Sequence, residues 1–243
     1  MVILSYKIYS FFVAKFSCSQ ETQKRHIIVS FTLDITEEKA GGITFYRGFY
    51  KNSEVVCAVC GIGKVFAAMC AEAMIIKYQP AVIINTGVAG ALSKELKQLD
   101  CTVAEKCVQH DMDTSPLGDP VGMISGINKI YFEADKKYSD ILMSCYGKTK
   151  PVYCTIASGD AFVCDKDKKE YITKTFGASV CDMESAAIAH VCYVAETPFV
   201  ISRVISDNAD DNANLDFLTV CKKAADISSA ATLKFINKCG GKK

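Results

Sequence analysis

A chain of 243 residues, half of them apolar, is long enough to bury a full core as a single α/β domain. Its 28 basic and 27 acidic residues leave a net charge of +1, which removes any electrostatic reason to expect nucleic acid or an anionic membrane as partner. The cysteines number 13, an odd count, and most lie inside apolar runs, as Cys70, Cys181 and Cys192 do. They suit buried free thiols in a reducing, cytoplasmic setting better than a disulfide framework.

In chain order, Met1 to Phe16 is apolar but broken by Lys7 and Lys15. Its uninterrupted stretch Ile8–Ala14 is too short to span a bilayer, and it lacks the basic start and small-residue cleavage site of a signal peptide. No linker, repeat or low-complexity tract divides the chain. The reading is one domain overall, with residues 1–41 an atypical N-terminal segment whose packing is unassigned and 42–243 the folded α/β unit.

Gly42–Phe49 and Glu54–Cys60 read as a strand pair joined by the polar turn Tyr50–Ser53. Cys57 and Cys60 have the spacing of a zinc or redox site, but no second pair supplies the other ligands, so a buried strand ending at Gly61 is preferred. Gly61-Ile62-Gly63-Lys64 opens an Ala- and Met-rich helix through about Tyr78, stopped by Pro80. This turn fails as a Walker loop, because Val65 replaces the required Ser/Thr, and it lacks the third glycine of a dinucleotide fingerprint. A tight turn and a close approach of backbone to ligand remain equally open for it.

Ala81–Ile84 is a short buried strand ending in Asn85-Thr86-Gly87-Val88-Ala89-Gly90. Pro151–Ile156 is another, running into Ala157-Ser-Gly-Asp-Ala-Phe162. A charged helix follows over about Lys166–Thr175, then a short strand near Ser179–Asp182 and a helix over Glu184–Ala195. Pro198–Ile205 is apolar apart from Arg203 and ends at Ser206-Asp207; a last helix covers about Leu215–Lys238. Alternating strands and helices predict a three-layer α/β sandwich around a central mixed, largely parallel sheet. Ligands of such folds collect beyond the carboxyl ends of strands, and the polar signals stand there: Asn85–Gly90, Ser158–Phe162, Asp182–Glu184 and Arg203–Asp207.

Arg203 is the sharpest single signal, because burying an unpaired guanidinium is costly. A structural ion pair would account for it, but with Asp207 and Glu184 at neighbouring element ends, a functional crevice is the favoured reading. The histidines say less. His190 fits a half-buried, hydrogen-bonded helix position, and His110 lies in the polar run Gln109–Asp113, whose spacing matches no metal-ligand pattern. Asp160 is read as fixing the loop that presents Phe162.

At these residues the chain resembles the 5′-methylthioadenosine/S-adenosylhomocysteine nucleosidases of the nucleoside phosphorylase superfamily. The resemblance rests on Cys60-Gly-Ile-Gly-Lys-Val65, Ile83-Ile-Asn-Thr-Gly-Val-Ala-Gly90, Ala157-Ser-Gly-Asp-Ala-Phe162, Asp182-Met-Glu-Ser-Ala-Ala-Ile-Ala-His190 and Ser202-Arg-Val-Ile-Ser-Asp207, in the family's order. It covers about Gly42 to the C-terminal helix. It implies hydrolysis of the N-ribosidic bond with release of adenine, a homodimer, and no metal or organic cofactor. Asp207 would be the acid at adenine N7, steered by Ser206. Phe162 would stack on the base and the Val163 backbone would bond its edge. Glu184 would grip the ribose hydroxyls with Met183 against the sugar, and Arg203 would orient Glu184 and the attacking water. Gly90 would lie against the ligand, and Ile62 and Phe217 would line the 5′-substituent pocket.

Two departures stand out. Val88 occupies a position where many relatives place a ribose-contacting Ser. The Gly-Ile-Ile-Gly-Ala-Met-Glu-type opening segment, with its water-positioning glutamate, has no counterpart in Met1–Leu33; Glu21 is present but lacks the motif around it. A phosphorylase of the same superfamily, or an adenosine-analogue-binding protein with impaired catalysis, are the rival readings.

Overall fold

The computed structural model describes residues 8–13, 33–51, 53–147, 150–207, 209 and 217–240. Among these described residues, ten strands form one sheet: β1 (Ile8–Val13), β2 (Leu33–Ala40), β3 (Ile43–Tyr50), β4 (Ser53–Val59), β5 (Ile83–Ala91), β6 (Cys101–Gln109), β7 (Tyr131–Glu133), β8 (Val152–Ser158), β9 (Val180–Asp182) and β10 (Phe199–Asp207). The described helices of more than one turn are α1 (Lys64–Tyr78), α2 (Lys136–Met143), α3 (Lys166–Phe176), α4 (Ser185–Val194) and α5 (Phe217–Gly240).

The apolar alternation of the strands explains the layers. Neighbouring residues in one strand face opposite ways: Val56, Ile83, Ile201 and Ile205 join one core cluster, while Val55, Ile84, Val200 and Val204 join another. The first is covered by α1 and α4, the second by α2 and α5. On α1 the buried residues Ala67, Cys70, Ala71, Met74 and Tyr78 recur at helical spacing. Most of these are small, as are Ala186, Ala187 and Ala189 of α4, which brings the two helices into close contact. Each face of the sheet therefore buries its own helix pair, as expected for three layers.

The sheet is mixed, and less parallel than anticipated. Five pairings are parallel (β1–β4, β1–β5, β5–β10, β6–β8, β8–β9) and five antiparallel (β2–β3, β3–β4, β5–β9, β6–β7, β6–β10). β10 bonds to both β5 and β6, and β9 bonds to both β5 and β8, so β5, β10, β6, β8 and β9 close into a ring in which β5–β10, β6–β8 and β8–β9 are parallel and β6–β10 and β5–β9 antiparallel. From β5 the sheet continues outward through β1, β4, β3 and β2.

The N-terminal segment contributes to this same sheet. Ile8–Val13 lies between β4 and β5, parallel to both, and Leu33–Ala40 is the strand beyond β3. A division at residue 41 thus corresponds to a turn, Gly41–Gly42, rather than to a boundary in the packing. The element predicted as Ala81–Ile84 also runs on to Ala91, so the Asn-Thr-Gly run expected as a loop is strand. The region between Gly90 and Pro151, where no element was anticipated, holds β6, β7 and α2. Among the described residues, no helix is long and apolar enough to cross a membrane. Among the described residues no cysteine is joined in a disulfide, and Cys57 and Cys60 are buried.

Candidate active site

Where the ring closes, the ends of β5, β9 and β10 meet. Gly90 pairs with Cys181 and with Asp207, and the loop after β8 folds over the opening. The partly open pocket there has an empty volume of about 340 Å³, open solvent included. Six of the predicted site residues line it: Gly90, Phe162, Val163, Met183, Ser206 and Asp207. Ala89, Ala161, Cys181 and Asp182 complete the wall. Such a wall is mostly apolar, with Ser206 and the carboxyl residues Asp182 and Asp207 as its polar members, the composition of a small-molecule pocket.

Asp207 is buried and held on both oxygens. The Ser206 hydroxyl donates to Oδ2 at 2.7 Å, and the Ala209 N–H donates to Oδ1 at 2.8 Å. These two donors fix the plane of the carboxyl group. Gly90 is needed beneath it: a Cβ at that position would stand 3.0 Å from Asp207 Oδ1 and 3.3 Å from Cys181 Sγ. Phe162 lies at the lip with its side chain partly exposed, whereas Val163 is buried.

Glu184 follows Met183 and occupies the N-cap position of α4, with 3% of its surface exposed. The Gly63 N–H donates to its Oε1 at 2.9 Å. Burial pushes its carboxyl above the ordinary value, and the negative charge of Asp182 adds to the effect; the Gly63 bond and the charge of Arg203 only partly oppose it.

Arg203, expected to orient Glu184 and the attacking water, makes its ion pair with Asp182. Its side chain is 1% exposed and bonds to Asp182, through Nε at 2.8 Å and Nη2 at 2.7 Å. Its remaining donors go to Ser202 O, Ser185 Oγ and Asn85 Oδ1. No bond joins it to Glu184, because Asp182 is the carboxylate its buried strand position faces. Asp182 in turn accepts from the hydroxyls of Ser158 and Ser185. This carboxylate is the residue that sequence reasoning passed over. The available signal was an acidic residue closing an otherwise apolar strand, Val180–Asp182, with a buried arginine demanding a partner.

Ile62 stands 42% exposed in the turn before α1 and does not line the cavity. Phe217 opens α5, but its side chain falls outside the described residues, as Glu21 does entirely. Val88 packs with Ile84 and Val204 in the core cluster covered by α2 and α5. His190 stacks on Phe132 with ring centroids 4.9 Å apart and meets Gln109 through Nδ1 at 3.3 Å, while the His110 ring is buried beside Gly159. The Gly61–Lys64 turn presents two N–H groups at the start of α1, and both are bound by protein carboxylates, Glu184 and Asp160.

Comparison with known proteins agrees with this architecture. The Phosphorylase superfamily matches residues 21–237. An aminodeoxyfutalosine nucleosidase from Campylobacter jejuni is 36% identical over 207 residues, spanning 84% of this chain and 90% of that protein. A 5′-methylthioadenosine/S-adenosylhomocysteine nucleosidase from Shewanella loihica is 31% identical over 225 residues, 90% of this chain and 96% of that one. The native structure of futalosine hydrolase from Helicobacter pylori superimposes with a TM-score of 0.88 at 31% identity, covering 95% of this chain and 98% of that one. The chain belongs to the phosphorylase superfamily. The two sequence relatives named here are both nucleosidases.

Proposed function

We propose that this protein hydrolyses the N-ribosidic bond of adenosine-derived nucleosides bearing a 5′ substituent and releases adenine. In this reading 5′-methylthioadenosine and S-adenosylhomocysteine are its substrates, and it serves methionine salvage and the recycling of S-adenosylmethionine by-products. The observation that carries the proposal is the buried Asp207 carboxyl, held by Ser206 and Ala209 and lining a mostly apolar cavity with Phe162.

Cleaving C1′–N9 builds positive charge on the sugar and negative charge on the purine. A proton delivered to N7 by Asp207 relieves the second, and a positioned acid contributes about 10²–10⁴-fold in rate. Phe162 stacks on the base, and the Val163 backbone bonds its edge. Glu184 accepts from the ribose hydroxyls, a role that requires its carboxylate form. Hydroxyl donors reaching that buried oxygen favour ionisation, so sugar binding draws the proton off Glu184. Met183 packs on the sugar. Arg203 acts at one remove: it fixes Asp182, and Asp182 fixes the start of α4 from which Glu184 projects.

The commitment of the Gly63 and Lys64 N–H groups to Glu184 and Asp160 supports hydrolysis over phosphorolysis, since it takes two backbone donors of this Gly-rich helix start away from a phosphate. A homodimer is proposed as well, because Val65, Phe66 and Met69 leave an exposed apolar stripe on α1. The similarity to an aminodeoxyfutalosine nucleosidase makes that nucleoside a second candidate substrate.

The test supplies each of the three nucleosides with and without phosphate and measures free base. Release independent of phosphate is expected. Asp207→Asn should abolish release while nucleoside binding stays measurable; near-normal turnover in that variant removes Asp207 from the acid role.

A further inference from the structure

The N–H groups of Gly63 and Lys64 are consecutive, and they serve opposite sides of the site. Gly63 donates to Glu184 Oε1 at 2.9 Å, and Lys64 donates to Asp160 Oδ1 at 2.7 Å. Glu184 is the carboxylate assigned above to the sugar. Asp160 lies two residues before Phe162, on the loop assigned to the base. Since α1 has no side-chain cap from its own flanking residue, Asp160 supplies that acceptor from 96 positions away.

Asp160 is also held from behind. Its own N–H donates to Asp111 Oδ2 at 2.9 Å, while Asp111 Oδ1 takes the Lys64 ammonium at 2.6 Å. Lys64 Nζ reaches Gln109 Oε1 at 3.2 Å. Lys64 is thus fastened at both ends, by backbone to Asp160 and by side chain to Asp111, and Asp111 returns to Asp160. The circuit joins the start of α1, the end of β6 and the loop after β8. The two N–H groups belong to successive planar peptides that meet at Gly63 Cα, so their relation is set by the backbone angles of Gly63, whose φ is +89° and where a Cβ would stand 2.8 Å from Asp160 Oδ1.

We propose that Asp160 is a positioning residue that, through the backbone at Gly63 and Lys64, holds the base-binding loop and the sugar-binding carboxylate in one fixed relation. The assignment of the two sides to base and sugar rests on the proposed nucleosidase reading; the mechanical coupling does not. Asp160 itself touches no reacting atom. Its influence on turnover passes through the placement of Phe162 and Glu184.

The experiment compares the full chain with Asp160→Ala and Asp160→Asn by residue-resolved amide hydrogen exchange. A hydrogen bond to a charged, partly exposed acceptor is worth about a tenfold factor. Asp160→Ala should therefore speed exchange of the Lys64 N–H about tenfold, and should carry the Gly63 N–H with it by about threefold or more. Asp160→Asn keeps an oxygen acceptor for Lys64 and should stay near the parent at both positions. Unchanged Gly63 exchange in Asp160→Ala overturns the coupling, whether or not the protein cleaves any nucleoside. Equal damage from Asn and Ala overturns it too, because loss of fold rather than loss of the acceptor would then be the cause. Asp111→Asn, which loosens the same circuit from behind, carries the same expectation should Asp160→Ala not fold.

A kinetic arm separates the two claims. With 5′-methylthioadenosine, Asp160→Ala should raise KM about tenfold and lower kcat as well, with both restored in Asp160→Asn. A parent that cleaves none of the nucleosides sinks the nucleosidase reading and leaves the exchange result to decide the coupling.

Discussion

Replacing Asp182 with Asn keeps the shape of the side chain and the acceptor for Ser158 or Ser185, but removes the carboxylate bonded to Arg203. The pair is sealed from solvent, with side-chain exposures of 1% for Arg203 and 0% for Asp182. Breaking a buried pair from one side costs about 3–5 kcal/mol, because the surviving charge stays buried without compensation. Arg203 retains neutral acceptors in Ser202 O, Ser185 Oγ and Asn85 Oδ1, which places the expected loss at the lower end, about 3 kcal/mol. In a domain of this size that lowers the melting temperature by about 6–12 °C. The assay is thermal unfolding followed by circular dichroism. The informative arm is the double variant Asp182→Asn with Arg203→Met, which removes both charges and should recover much of the loss. A single-variant shift below about 2 °C, or a double variant as unstable as the sum of the two singles, would refute the view that a desolvated ion pair anchors the start of α4.

Two further outcomes follow from the same geometry. Glu184 is held above its ordinary value of 4.5, first by burial and then by the charge of Asp182, so the folded state keeps a proton that the unfolded chain releases as pH rises past 4.5. Its contribution to stability is complete below that pH and declines above it. Glu184→Gln should accordingly gain stability relative to the parent between about pH 5 and about pH 8, read from urea midpoints, while losing nucleoside affinity; a parallel pH trend in the two proteins contradicts the assignment. Gly90→Ala puts a methyl 3.0 Å from Asp207 Oδ1 at a position with no backbone strain to add. The displaced carboxyl should cost about tenfold to a hundredfold in kcat with little change in melting temperature, and unaltered turnover would place the acid elsewhere.

The readable parts of the fold were those whose burial leaves a regular pattern. The α1 helix, the strand pair β3–β4 and the apolar strand β10 follow from apolar spacing and from their bounding turns. Asn85, Thr86 and Gly87 misled because these residue types favour turns when exposed. In place they lie inside β5 between β1 and β10, and Asn85 Oδ1 takes a donor from Arg203. Strand β6 was hidden by Glu105-Lys106, which break its apolar run. The strand's register against β8 shifts between Ala104 and Lys106, so the charged pair marks a bulge rather than an end. Ile8–Val13 gave no strand signal of its own, since a strand flanked on both sides shows only a short apolar run that a helix or leader could also show. For the site, the chemistry-bearing residues were visible at strand ends, but their pairing was not. That Arg203 serves Asp182, and Glu184 the Gly63 N–H, depends on which strands cross, and crossing is a property of the closed ring.

That ring also sets the order in which the site can come into being. The strand that closes it, β10, is the last in the chain, and its partners β5 and β6 are roughly a hundred residues earlier. Contacts of such long separation form late, after the loop entropy they span has been overcome. On a ribosome, every wall of the cavity except Ser206 and Asp207 is synthesised first and waits open. A ligand that needs Asp207 is therefore recognised only once β10 has been made and has closed the ring.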